Sequence, residues 1–198
     1  MHILIIGATG TIGRAVVHAL EDRHDLLLAS RTKAAHRVDI TDPKSLRALY
    51  DAVGRVDAVV SAAGGAAWKP LAQLADADFE RSLHDKLMGQ VNVVRFGFDH
   101  VNDGGSITVT SGILARQPQA SSAAVSLVNA GLEGFVRAAA LEAPRGIRVN
   151  VVSPPWVSET LESMRQNPEN GLPADVVAEA YVASVEGDAT GEVIEPEG

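Results

Sequence analysis

The sequence predicts an α/β protein built as a doubly wound parallel sheet between two layers of helices, a three-layer α/β/α arrangement. Three observations carry that prediction. Short apolar runs alternate with longer stretches of helical period along the 198 residues, the pattern of βαβ units. A glycine turn, Gly7-Ala8-Thr9-Gly10-Thr11-Ile12-Gly13, follows the first apolar run and opens a helical one. Apolar residues make up 46% of the chain and charged residues 21%, a balance that can fill a core, so one domain over 1–198 is expected.

The first strand is expected at 2–6, where Ile3-Leu4-Ile5-Ile6 runs into Gly7, and the first helix at 11–22. The second strand is Asp25–Ser30, and a short third lies near 36–39. A helix then starts at Pro43, whose fixed φ suits a first helical position, with Thr41 or Asp42 as its cap. The fourth strand is placed at 56–61, and a long helix at 76–101 opens on Asp76 or Asp78. Its Phe79, Leu83, Leu87, Val91, Val94 and Phe98 recur at spacings of three and four, an apolar stripe for the sheet. The fifth strand is expected at 105–110, a helix at 121–143, the sixth strand at 147–152, a last helix at 173–186 and a last strand at 191–195. The 121–143 helix carries Ala130, Gly131, Gly134 and Ala138, small residues that predict a close helix contact inside the fold or across a two-fold axis; a homodimer or homotetramer is expected.

Composition also excludes functions. A net charge of −8 opposes nucleic-acid binding, which draws on clustered Lys and Arg. No stretch is expected to reach the roughly 20 apolar residues of a membrane span, and Met1–Gly7 lacks the basic start of a signal peptide. With no cysteine, disulfides and zinc–thiolate sites are excluded, and the cytoplasm is the expected location. The histidines His2, His18, His24, His36, His84 and His100 form no metal-ligand spacing, so no metal is expected.

The glycine turn sits where a dinucleotide fingerprint must sit, between a strand and a helix start. Gly7 would make the tight turn, Gly10 would let the backbone approach a pyrophosphate, and Gly13 would allow close packing. Thr9, Thr11 and Ile12 complete the segment, whose free N–H groups face the anion. The second strand ends in Ser30-Arg31-Thr32 with no carboxylate for a ribose 2′-hydroxyl. Arg31 can instead bind a 2′-phosphate, with Ser30 and Thr32 as further donors, so NADP(H) is the expected cofactor.

Taken in order, these motifs resemble the short-chain dehydrogenase/reductase family, with its Rossmann fold, over essentially the whole chain. Asp39-Ile40 looks like the pair that contacts the adenine. Ser61-Ala62-Ala63-Gly64 is similar to the family's Asn-Asn-Ala-Gly element, with both asparagines replaced. Thr110-Ser111-Gly112 resembles the segment of the catalytic serine, and Ile147–Pro155 the sixth strand and its Pro-Gly turn, with Pro155 in place of glycine. The resemblance nominates Ala62, Ala63, Gly64, Pro154 and Val157, with Thr160, for the cofactor, and 157–172 as a short substrate-covering segment.

The same resemblance implies hydride transfer between NADP and a small-molecule carbonyl or alcohol, with a tyrosine as acid or base and a lysine beside it. Here Val125 falls at the tyrosine position and Asn129 at the lysine position, and Lys86 falls where the family has an asparagine. The chain has only Tyr50 and Tyr181, and no lysine after Lys86. Two readings follow. In one, Lys86 and Ser111 run a divergent reductase; in the other, the chain binds NADP(H) as a sensor without dehydrogenase chemistry. Lys86 as a surface cation, Ser111 as a strand-end hydroxyl, and isomerase or lyase chemistry also stay open. Trp68 and Trp156, after the fourth and sixth strands, would wall a pocket or anchor loops.

Overall fold

The computed structural model describes residues 1–197. Seven strands, β1 (His2–Ile6), β2 (Asp25–Ser30), β3 (His36–Arg37), β4 (Val56–Ser61), β5 (Val101–Thr110), β6 (Arg148–Val152) and β7 (Val193–Ile194), form one sheet in the order β3-β2-β1-β4-β5-β6-β7. Every pairing is parallel. The chain winds outward from β1 to β3, then crosses to β4 and winds the other way, so a crevice opens beyond the C-terminal ends of β1 and β4. Both faces of β1 are buried, Leu4 and Ile6 toward one layer and Ile3 and Ile5 toward the other, which is why it reads as an unbroken apolar run.

Helices α1 (Thr11–Leu20) and α7 (Ala174–Glu186) cover one face, where Val16, Leu20, Val177 and Tyr181 pack on Ile3 and Ile5. The other face carries α2 (Pro43–Val53), α4 (Gly89–Gly97) and α5 (Ala123–Glu142) through Leu46, Tyr50, Val93, Leu132 and Val136. Of the two candidate caps of α2, the structure uses Asp42, whose carboxylate accepts from Lys44 N at 2.9 Å.

The long helix expected at 76–101 is broken. It runs as α3 (Asp76–Ser82), a π-helical turn at Leu83–Met88, and α4, which ends at Gly97. The segment is pinned on both sides of the break. Ser82 Oγ accepts from Ala67 N at 2.9 Å, and a Cβ on Gly89 would stand 2.8 Å from Ile40. The extra residue is taken up between those anchors. The helix stops early because Val101 joins β5 opposite Val56. For the same reason β5 starts at 101 rather than 105, with a register shift before Ser106.

Smaller differences follow the same logic of tertiary capture. β3 and β7 are two residues each, shorter than expected, and a further helix, α6 (Ser158–Ser163), lies inside the segment expected to cover substrate. Helix α5 does have the length and composition of a membrane span, against the sequence expectation. Its Ala124, Val128, Leu132 and Val136 are nevertheless buried in this domain, a face that lipid could not also occupy. The close contact foreseen for its small residues exists at Gly131, where a Cβ would lie 3.3 Å from Leu87, whereas Gly134 faces open space.

Candidate active site

The glycine turn builds the first half of the crevice from backbone. Gly7 has φ +87°, and a Cβ there would fall 2.6 Å from the Ala62 carbonyl oxygen, so no other residue fits. Gly13 packs still closer, its would-be Cβ 2.0 Å from Gly7 O. Gly10 is the N-cap of α1 and no side chain caps it. The helix start thus offers uncapped N–H groups, a place for an anion.

Beside it lies a cleft of about 330 Å³ lined by Gly7, Thr9, Gly10, Ser30, Arg31, Thr32, Ile40, Ala62, Ala63 and Gly64, ten of the residues nominated from sequence. The others stand elsewhere. Thr11 lines a shallow surface groove with Arg14 and His18, Gly13 is spent on helix packing, and Ile12, Pro154 and Val157 line a second cavity. Asp39 does not line the cleft as expected. Its carboxylate turns back to accept from Thr41 N at 3.0 Å and Thr41 Oγ1 at 2.8 Å, because it holds the turn into α2. Burial opposes its charge, but the Thr41 hydrogen bonds and the Arg31 guanidinium hold its carboxyl below the usual carboxylate range.

Arg31 is exposed at the cleft mouth, donating to Asp39 Oδ1 at 3.3 Å, with Asp85 Oδ1 at 3.7 Å. The end of β2 has no carboxylate of its own, as the sequence shows, but the fold brings Asp39 and Asp85 to it. Ser30 Oγ accepts from Lys33 N and Ala34 N, at 3.0 and 2.9 Å, which leaves its own hydrogen to donate.

Gly64 and Gly65 line this cleft and also the second cavity, about 400 Å³, so one groove runs along the sheet. The second cavity brings together Lys86, Ser111, Val125, Asn129, Trp68 and Trp156, with Thr160 at its edge. No tyrosine lines either space among the described residues. Tyr50 and Tyr181 are fully buried, Tyr50 donating to Val93 O at 2.7 Å and Tyr181 paired with Thr110 Oγ1 at 2.7 Å.

Lys86 reaches the cavity from the π turn. Burial pushes its ammonium down to about 8, partly offset by Asp85. No hydrogen bond or ion pair within the described residues holds that ammonium. Asn129 Nδ2 lies 3.4 Å from Gly112 O, while its buried Oδ1 has no donor.

Ser111 is placed as expected but bonded in a way the sequence did not suggest. Its hydroxyl donates to Glu133 Oε1 at 3.0 Å, and Ser153 donates to the same oxygen at 3.1 Å. Arg116 donates to Glu133 Oε2 at 3.3 Å and pairs with Glu195 at 3.0 Å. Glu133 is 4% exposed, and nothing in the sequence reading pointed to it. The available signal was its place four residues after Asn129 and beside Leu132, on the inner side of the helix.

A family model described as enoyl-(acyl carrier protein) reductase matches residues 11–190. A crystal structure of a protein from Listeria innocua superposes with a TM-score of 0.95 at 40% identity, covering 100% of both chains. A small-chain dehydrogenase in complex with NADPH matches at a TM-score of 0.89 and 26% identity, over 98% of this chain and 95% of that one. A hydroxynaphthalene reductase of Aspergillus fumigatus is 29% identical over 154 residues, 75% of this chain and 56% of its own length. An acetoacetyl-CoA reductase of Allochromatium vinosum is 27% identical over 161 residues, 75% of this chain and 65% of its own. The chain thus spans less than two-thirds of the length of these curated relatives. A match running from the start of α1 nearly to β7, on a sheet of this order, makes the resemblance of the motifs a membership: the chain belongs to the short-chain dehydrogenase/reductase family.

Proposed function

We propose that this chain is an NADP(H)-dependent oxidoreductase that interconverts a small-molecule carbonyl and its alcohol, with Lys86 in the acid–base role. One observation carries the reading: a continuous groove links Arg31, the uncapped start of α1 and Lys86. The residues fit a dinucleotide. Gly7 leaves backbone bare where a Cβ could not stand, and Asn129 Oδ1 is a buried acceptor without a donor, suited to a ribose hydroxyl. Arg31, Ser30 and Thr32 would hold the 2′-phosphate, Arg31 exchanging Asp39 and Asp85 for it. The α1 N–H groups would hold the pyrophosphate, with Ile12, Pro154 and Val157 bounding the far end. Bound there, the nicotinamide would supply the hydride. Lys86 would give its proton to the carbonyl oxygen, and its lowered pKa suits that transfer near neutral pH.

A second reading has its own support. With no tyrosine lining the cavity and the Ser111 hydrogen committed to Glu133, the chain would bind NADP(H) as a sensor with little turnover. One experiment separates the two. NADPH and NADH are titrated by nicotinamide fluorescence, and NADPH oxidation is then followed with aldehydes, ketones and quinones. Preferential NADPH binding with turnover supports the oxidoreductase, binding without turnover supports the sensor, and no binding removes both. Location in the cytoplasm and assembly into a homodimer or homotetramer through the outer face of α5, where Leu127 and Leu141 are exposed, belong to the same proposal. Light scattering tests the assembly.

A further inference from the structure

The cavity at the Lys86 end has an unbalanced inventory. Among the described residues Lys86 is the only charged side chain that lines it, and they place no counter-ion for the ammonium across the cavity. Its chain neighbour Asp85 lines the other cleft and is paired there with Arg31 at 3.7 Å. Two hydroxyls that could otherwise polarise a neutral ligand are turned away. Ser111 donates to Glu133 at 3.0 Å and Thr110 Oγ1 donates to Ser61 O at 2.6 Å. A carboxylate oxygen can only accept, so Ser111 shows the cavity its lone pairs and no hydrogen. Asn129 Oδ1 likewise only accepts and suits a hydroxyl, not an anion.

Apart from the Thr160 hydroxyl, the remaining side chains that line it are apolar or aromatic. Trp68 and Trp156 meet edge to face at 5.3 Å, and Leu114, Val125 and Met164 continue the wall. About 400 Å³ accommodates a ligand of one or two rings.

We propose that this cavity takes an apolar ring bearing an acidic oxygen, a carboxylate, phenolate or enolate, with the ring against Trp68 and Trp156 and the oxygen on Lys86. A half-buried ammonium facing apolar walls gains most from an anion, because the interaction is little screened there. Lys86 is then the specificity-determining residue of the site, and Glu133 a positioning residue that keeps Ser111 from serving as a donor to neutral carbonyls. As a substrate such a ligand would carry its carbonyl beside the acidic oxygen, both within reach of the one ammonium, and that identification rests on the oxidoreductase reading; its binding does not.

The two tryptophans of the chain both line the cavity, so intrinsic fluorescence reports its occupancy directly. The full chain is titrated with benzoate and with benzyl alcohol, which differ in charge at the same ring. Benzoate is expected to bind at least about tenfold more tightly, and Lys86→Met to bring it down to the level of the alcohol, while Lys86→Arg stays within about threefold of wild type. Equal affinities, or a folded Lys86→Met that keeps the preference, would overturn the proposal.

A wild-type measurement covers the case of a variant that fails to fold. Benzoate affinity should fall as pH rises past about 8, where Lys86 loses its proton, and benzyl alcohol affinity should not. Among the described residues the charges near Lys86 are Asp85 and, through it, Arg31, and the cavity walls add none. A flat benzoate profile overturns the proposal. NADPH is titrated separately: benzoate binding without NADPH binding removes the oxidoreductase and keeps this site, and the converse removes this site alone.

Discussion

The two ends of the groove are built from different materials. At the Gly7–Gly13 end, the surface is main chain: glycines whose missing side chains leave room, and a helix start with no cap. At the Lys86 end, the surface is side chains drawn from the π turn, the end of β5, α5 and the loop after β6. Backbone sites are specified by spacing over a few consecutive residues. Side-chain sites depend on contacts between residues far apart in sequence, such as Ser111 and Glu133. The first kind tolerates little change, and the second can be rebuilt residue by residue while the fold persists.

Four substitutions or titrations test that contrast, in descending size. Gly13→Val should cost more than about 4 kcal/mol, since the added carbon would sit on Gly7 O and the main chain there has nowhere to go. Thermal unfolding measures it, and a variant melting within a few degrees of wild type breaks the claim that this end is rigid. Glu133→Ala should lose about 3 kcal/mol in denaturant unfolding, because Ser111, Ser153 and Arg116 all lose their acceptor. Its NADPH affinity should stay within about twofold of wild type, and a large loss would show that the two ends are not separable.

Arg31→Ala should weaken NADPH by about tenfold to a hundredfold and leave NADH unchanged, as read by fluorescence titration. An equal loss for both nucleotides would reduce Arg31 to an anchor for Asp39 and Asp85. The smallest effect is a pH profile. Lys86 carries its proton below about 8, so carbonyl reduction should fall about tenfold per pH unit above that value, and Lys86→Arg should shift the falling limb beyond reach. The depressed value also means that the unfolded chain binds more protons between about 8 and 10.5, so the Lys86 contribution to stability rises with pH across that window.

Legibility in the sequence follows the same division. The run His2–Ile6, the glycine turn and the start of α1 at Thr11 are readable because each is decided by its own neighbours: an apolar run, a turn, a helical period. The residues nominated beside them come together in one cleft for the same reason. The break at Leu83–Met88 is not readable, because the stripe from Phe79 to Phe98 has an uninterrupted helical period and the extra residue answers to Ala67 and Ile40, both remote. The early end of α4 and the early start of β5 depend on Val101 finding Val56. Glu133 escapes notice because a glutamate within a helix ordinarily reads as solvent-facing, and only the folded arrangement supplies Ser111, Ser153 and Arg116 around it.

The turn at Leu83–Met88 also settles the polarity of the groove. Asp85 and Lys86 are adjacent in the chain, yet one lines the nucleotide-side cleft and the other the far cavity. A helix advances about 100° per residue, so deleting one position between Ser82 and Asp85 would swing both side chains together about the helix axis relative to the sheet. A one-residue change in length, with Asp85 and Lys86 both kept, would move the cation away from one compartment and the anion away from the other. The charge map of the groove is therefore a matter of helical phase, encoded in how many residues separate Ser82 from Gly89.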